Sequence, residues 1–81
     1  MRCVKREWQL VVDGVWWGIS WERDRDKRLV QVFRDGEIIG FAKFEPHDVM
    51  TCVLHVPQDE WPDSVRRQWT EVVRETRRAV R

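Results

Sequence analysis

The 81-residue chain predicts an α+β fold: a five-stranded antiparallel, strongly coiled sheet, either a meander or a barrel-like one, with one C-terminal amphipathic helix. Three observations carry this expectation. Two Asp-Gly pairs, Asp13-Gly14 and Asp35-Gly36, each separate two runs in which apolar and polar residues alternate. Such pairs favour two-residue hairpin turns, because both central positions need positive φ. The last third of the chain changes to helical periodicity.

Strands are expected over about residues 5–12, 15–22, 28–34, 37–44 and 48–56, and a helix over about 60–80, all within one domain spanning 1–81. The segment "RDRDK" (23–27) reads as a polar loop between the two hairpins. Pro46 ends the fourth strand and Pro57 the fifth. Asp59 or Asp63 can cap the helix, and Pro62 is tolerable only in a first turn. Consecutive strands are expected to be neighbours, which makes the sheet a meander.

The Asp-Gly turns set the register, and register sets facing. In the first hairpin Trp8, Leu10, Val12, Val15, Trp17, Ile19 and Trp21 share one face. The other face is polar except for Val11 and Trp16. In the second hairpin a regular ladder puts Val30, Val32, Ile39 and Phe41 on one face. It puts Leu29, Phe33, Ile38, Ala42 and Phe44 on the other, and pairs Arg34 with Glu37 across the strands. Met50, Cys52, Leu54 and Val56 share a face of the fifth strand, with Val49, Thr51 and Val53 opposite. Strands apolar on both faces need cover on both. One helix covers one face, so either the sheet curls onto itself or a second molecule supplies the other layer.

Size sharpens that imbalance. A compact chain of this length exposes roughly 5,200 Å² and buries about 64% of its unfolded surface. Six Trp and three Phe compete for that small core. On a helical wheel Val65, Trp69, Val72, Val73, Thr76, Ala79 and Val80 form one stripe. Arg66, Arg67, Arg74, Arg77, Arg78 and Arg81 form a second, about 120° wide, with Glu71 and Glu75 in the gap. The cationic stripe reads as a solvated face complementing the helix dipole, or as a ridge for an acidic protein surface or a phosphate backbone.

Trp16 and Val11 are the candidate contacts on the sheet. Trp61, just before Pro62, is either a hydrophobic staple on the first helical turn or an exposed anchor, and joins them as a candidate.

Chemistry is scarce. His47, Cys52, His55 and Cys3 lack metal-ligand spacing, and Cys52 and His55 point to opposite faces of a strand. A Cys3–Cys52 disulfide would need the chain start beside the fifth strand. Glu45, His47 and Asp48 form a polar cluster with no nucleophile or phosphate loop beside it, and read as a connecting loop. No catalytic residue, metal or cofactor is expected, and no small-molecule substrate.

Net charge is +1, from 15 basic and 14 acidic residues, which is not the global signature of a strong nucleic-acid binder. No apolar run is long enough for a membrane span or a signal peptide, so a cytoplasmic location is expected. The expected function is that of a small non-catalytic protein-binding module, of the inhibitor or adaptor type. Its partner is a second copy, giving a homodimer, or a different protein. Inhibitors of phages and mobile elements are of this kind, though no motif ties the chain to that origin. The alternative is nucleic-acid binding through the Arg stripe with exposed Trp.

Overall fold

Each of the three reversals joining the first four strands is only two residues long. The computed structural model describes residues 3–46 and 50–79. Strand β1 (Cys3–Val12) returns through Asp13-Gly14 to β2 (Val15–Asp24). Strand β2 turns through Arg25-Asp26 into β3 (Lys27–Arg34), and β3 through Asp35-Gly36 into β4 (Glu37–Phe44). The short β5 (Thr51–Leu54) follows, then a 3-10 turn over Gln58–Glu60 and helix α1 (Asp63–Ala79). Both Asp-Gly turns are left-handed at both positions, with φ of 52° and 77° in the first and 50° and 82° in the second. That twist matches the flanking strands.

The middle turn corrects the expected polar loop over 23–27. Strands β2 and β3 run up to it, with Asp24 opposite Lys27. Arg25 adopts a φ of 58°, a conformation that costs an L-residue about 1–2 kcal/mol and that glycine adopts freely. Sheet pairing on either side holds it there.

The sheet is antiparallel throughout, in the order β1-β2-β3-β4-β5. Strands β1 and β5 are therefore opposite edges. The strongly coiled or barrel-like sheet is corrected to an open one. Closure requires the two edge strands to pair, and β5, with four residues against the ten of β1, offers few ladder bonds for it.

The helix packs on one face, over β2, β3 and β4. There Trp17, Ile19, Val30, Val32, Ile39, Ala42 and Phe44 meet Val65, Trp69 and Val72, all buried. Along β1 and the adjoining part of β2, Trp8, Leu10, Val12 and Trp21 are only half-buried, because the helix does not reach across to that edge. Arg6 lies over the Trp8 ring at 5.6 Å and Arg34 over the Trp17 ring at 5.9 Å. Arg34 does stand opposite Glu37 in the ladder, but its guanidinium turns to the indole.

The second hairpin departs from a regular ladder. Phe33 pairs with Ile38 and Val32 with Gly40, so Ile39 is an extra residue in β4. This β-bulge reverses the facing of everything after it. Phe41 is thereby corrected from the Val30 face to the opposite one, and Ala42 and Phe44 move into the core. The His55 amide donates to the Ile39 carbonyl at 2.8 Å, so the bulged residue keeps a ladder partner. A Cβ on Gly40 would stand 2.6 Å from Leu54 Cδ2, 3.1 Å from the Val53 carbonyl oxygen and 3.3 Å from Val32 Cγ1. A strand glycine here lets β5 approach.

Helix α1 opens with the Pro62 carbonyl accepting from the Arg66 amide at 3.0 Å. Asp63 stands in its first turn and Arg77 and Arg78 in its last, both favourable to the dipole. Thr76 is buried and donates its hydroxyl to the Val72 carbonyl at 2.7 Å.

Candidate functional site

Among the described residues, nothing covers the face of the sheet away from α1. Its apolar members among them are Val11, Trp16, Leu29, Phe33, Ile38, Phe41 and Val53. Four of them rank as exposed: Val11 at 64%, Trp16 at 47%, Ile38 at 45% and Val53 at 37%. The ladders run these residues diagonally across the sheet. Val11 is opposite Trp16 at one end. Phe33 is opposite Ile38 in the middle, and Phe41 is opposite Val53 at the far edge. The molecule exposes 5741 Å², about a tenth more than a compact chain of its mass. An uncovered sheet face pushes in that direction.

Trp16 is held outward by its backbone. Its amide donates to Asp35 Oδ1 at 3.0 Å, and its carbonyl accepts from the Asp35 amide at 2.6 Å. Beside it Gly18 leaves a hollow of about 280 Å³, bordered by Gln9, Trp16, Ser20 and Phe33. Ser20 is buried at the base of this face and its hydroxyl points to Gln31 Oε1 at 3.4 Å.

Trp61 is corrected as a surface anchor: it is 3% exposed. Its ring meets the Trp69 ring edge-on at 5.6 Å and 87°, and its Nε1 donates to the Val56 carbonyl at 3.1 Å. The aromatic pair explains the burial. Trp69 sits in the middle of the apolar stripe, and the turn over Gln58–Glu60 lays Trp61 against it.

Of the Arg stripe, Arg67, Arg74, Arg77 and Arg78 are exposed. Arg66 is half-buried and occupied, donating to the Gln58 carbonyl at 3.2 Å and pairing with Asp63. Arg74 lies 3.5 Å from Glu71, and Arg77 reaches Met50 Sδ at 3.6 Å. Arg81 lies outside the described residues. Part of the stripe borders the β5 side of the helix, where Arg74 and Arg77 share a groove with Met50 and Cys52, and the sheet stands between it and the apolar face. The two surfaces are not one site. No exposed tryptophan stands beside the arginines: Trp16 is on the far face, and Trp61 and Trp69 are buried.

Cys52 is a free thiol near the β5 edge, and burial raises its pKa above the ordinary thiol value. It shares a shallow groove with Met50, Trp69, Val73, Arg74 and Arg77. Among the described residues no group of three or more His, Cys, Asp or Glu could hold a metal ion. His47 and Asp48 of the polar cluster lie outside the described residues, as does Val49. No helix among the described residues is long and apolar enough to cross a membrane.

No protein-family model, curated protein or solved structure matches the chain. The surface chemistry alone carries the functional reading.

The members of this face that the sequence does not single out as contacts are Leu29, Phe33, Ile38, Phe41 and Val53. Gly40, a lone glycine inside an apolar strand, was the signal for the bulge that turns Phe41 outward.

Proposed function

We propose that this chain is a non-catalytic protein-binding module that docks through the uncovered sheet face, with Trp16 and Ile38 as anchors. The single observation behind the reading is the diagonal apolar band from Val11 and Trp16 to Phe41 and Val53 on a face without its own covering layer. Contiguous exposed apolar surface with an aromatic anchor is what binding faces present. An inhibitor or adaptor needs no more chemistry than this.

The test is a photoreactive residue placed at position 16 in the native host cell, with one at Arg67 as the control. Abundant protein adducts from position 16, and few from position 67, support the reading. No protein adduct from position 16 overturns it. Against a purified partner, Trp16→Ala should weaken binding by at least about 2 kcal/mol, the size expected of a hot spot.

The exposed Arg67, Arg74, Arg77 and Arg78 favour a second reading, nucleic-acid binding along the helix. It requires heparin retention and an affinity that falls steeply with salt. The distance of Trp16 from this stripe takes away its base-stacking partner.

A further inference from the structure

We infer that the hollow over Gly18 receives a tyrosine side chain of a different protein, which anchors that partner on the sheet. The inference rests on the binding-face reading above and names the chemistry of the partner.

The ladder builds the hollow with two kinds of wall. Gly18 stands between Gln9 on β1 and Phe33 on β3. Trp16 and Ser20 lie two positions before and after it on β2, so all five residues share one face. The missing side chain of Gly18 leaves about 280 Å³ open among them. Trp16 and Phe33 make adjoining aromatic walls. The other sides are polar: Gln9, and a row in which Ser20 stands opposite both Glu7 and Gln31.

Space and spacing suit an aromatic ring. A cavity of about 150 Å³ is enough to take up benzene. A ring over Gly18 lies about 6.7 Å along the strand from the Trp16 position and about 4.8 Å across the ladder from Phe33. Both values fall in the range of about 4.5–7 Å over which aromatic pairs attract.

The polar row selects what the ring carries. Ser20 is buried, and its hydroxyl gives its proton to Gln31 Oε1 at 3.4 Å. Among the described residues nothing donates to Ser20 Oγ in return. A phenylalanine or leucine laid over this oxygen would shut it off from water without supplying a donor. The Gln9 and Gln31 amides add donors and acceptors together. A phenol hydroxyl both donates and accepts, whereas an indole N–H only donates. Glu7 beside Ser20 and Asp35 behind Trp16 set carboxylates at both ends, which disfavours an anionic ring. A neutral phenol meets all of these conditions, and tyrosine is among the residues enriched at binding hot spots. The chain has no tyrosine of its own, so a second copy cannot supply the occupant.

N-acetyltyrosinamide titrated into the isotope-labelled whole chain tests the hollow directly by NMR. The amide shifts of Trp16, Gly18 and Phe33 should saturate with a dissociation constant on the order of 1–10 mM, as the few heavy atoms of one side chain allow. N-acetylphenylalaninamide, which lacks the hydroxyl, should bind at least about threefold more weakly, the worth of one neutral hydrogen bond. A Cβ on Gly18 would meet nothing nearer than 3.8 Å. Gly18→Val therefore fills the hollow with little strain inside the fold. It should weaken the tyrosine probe at least about tenfold by removing both ring contacts, with circular dichroism unchanged.

The absence of a saturable shift in the wild type overturns the inference. So does equal binding of the two probes, or a Gly18→Val variant that binds as the wild type does. Each of these outcomes leaves the binding face standing. The adduct from position 16 reads the other level. A linked peptide of another protein that carries tyrosine supports the inference. Linked peptides without tyrosine, those of a second copy included, overturn it and leave the face standing. No protein adduct overturns both.

Discussion

Asp35 holds Trp16 by both sides of its backbone, accepting from its amide with a carboxylate oxygen and donating its own amide to its carbonyl. A turn residue of the Asp35-Gly36 hairpin thereby fixes the aromatic that follows the Asp13-Gly14 turn. Asp35→Ala removes the side-chain acceptor and places alanine at a φ of 50°. The expected loss is about 1–2 kcal/mol, from one hydrogen bond and one left-handed residue. Asp35→Asn keeps the acceptor and tolerates that backbone, so it should lose less than about 0.5 kcal/mol. Urea unfolding reads the difference, and amide exchange at Trp16 should accelerate in the alanine variant alone.

Trp17 and Trp61 are both buried, yet their indole nitrogens differ. Trp61 Nε1 donates to the Val56 carbonyl, whereas Trp17 Nε1 has no partner among the described residues. Substitution by Phe removes similar ring volume from each. Trp61→Phe should therefore cost about 1 kcal/mol more than Trp17→Phe, the net worth of a hydrogen bond. Equal losses would mean that the two nitrogens are equally satisfied.

Gly40→Ala should destabilise by about 1–3 kcal/mol through overpacking against β5. The nearest obstacle is the end of the Leu54 side chain, and the Val53 carbonyl stands behind it. Leu54→Ala should recover part of the loss in the double variant, with a coupling of at least about 0.5 kcal/mol in the cycle. Strict additivity would refute the contact.

Cys52 holds its proton more tightly in the folded chain than a free thiol does, because burial disfavours the thiolate. The sign follows from linkage. Whatever this group contributes to stability is present below the unfolded thiol pKa and is lost as pH rises through the folded one. Alkylation at pH 8 should be slower than for an unstructured cysteine peptide, and its rate should still climb above the ordinary thiol range. Cys52→Ser should flatten the alkaline part of the stability profile.

The hairpins show how far side-chain pattern reaches. Asp13-Gly14 demands a left-handed pair, and the register that follows places Val12 opposite Val15 and turns Trp16 outward, as found. Nothing in Arg25-Asp26 demands such a turn. Tertiary pairing imposes it, so "RDRDK" reads as a loop from its composition. The bulge at Ile39 escaped for the opposite reason: a regular alternation through "EIIGFAKF" is self-consistent, and only Gly40 hints at the approach of β5. Trp61 shares its local context with an exposed anchor, and only contact with Trp69 decides its burial.

Pairing only between sequence neighbours has a kinetic consequence. No strand waits for a distant partner, so each of the first three hairpins can zip from its own two-residue turn at little loop-closure cost. The longest wait belongs to α1, whose Val65 and Trp69 must find a platform assembled from β2, β3 and β4. Refolding should therefore be fast for a sheet protein, with docking of the helix as its final step. Val65→Ala should speed unfolding far more than it slows folding.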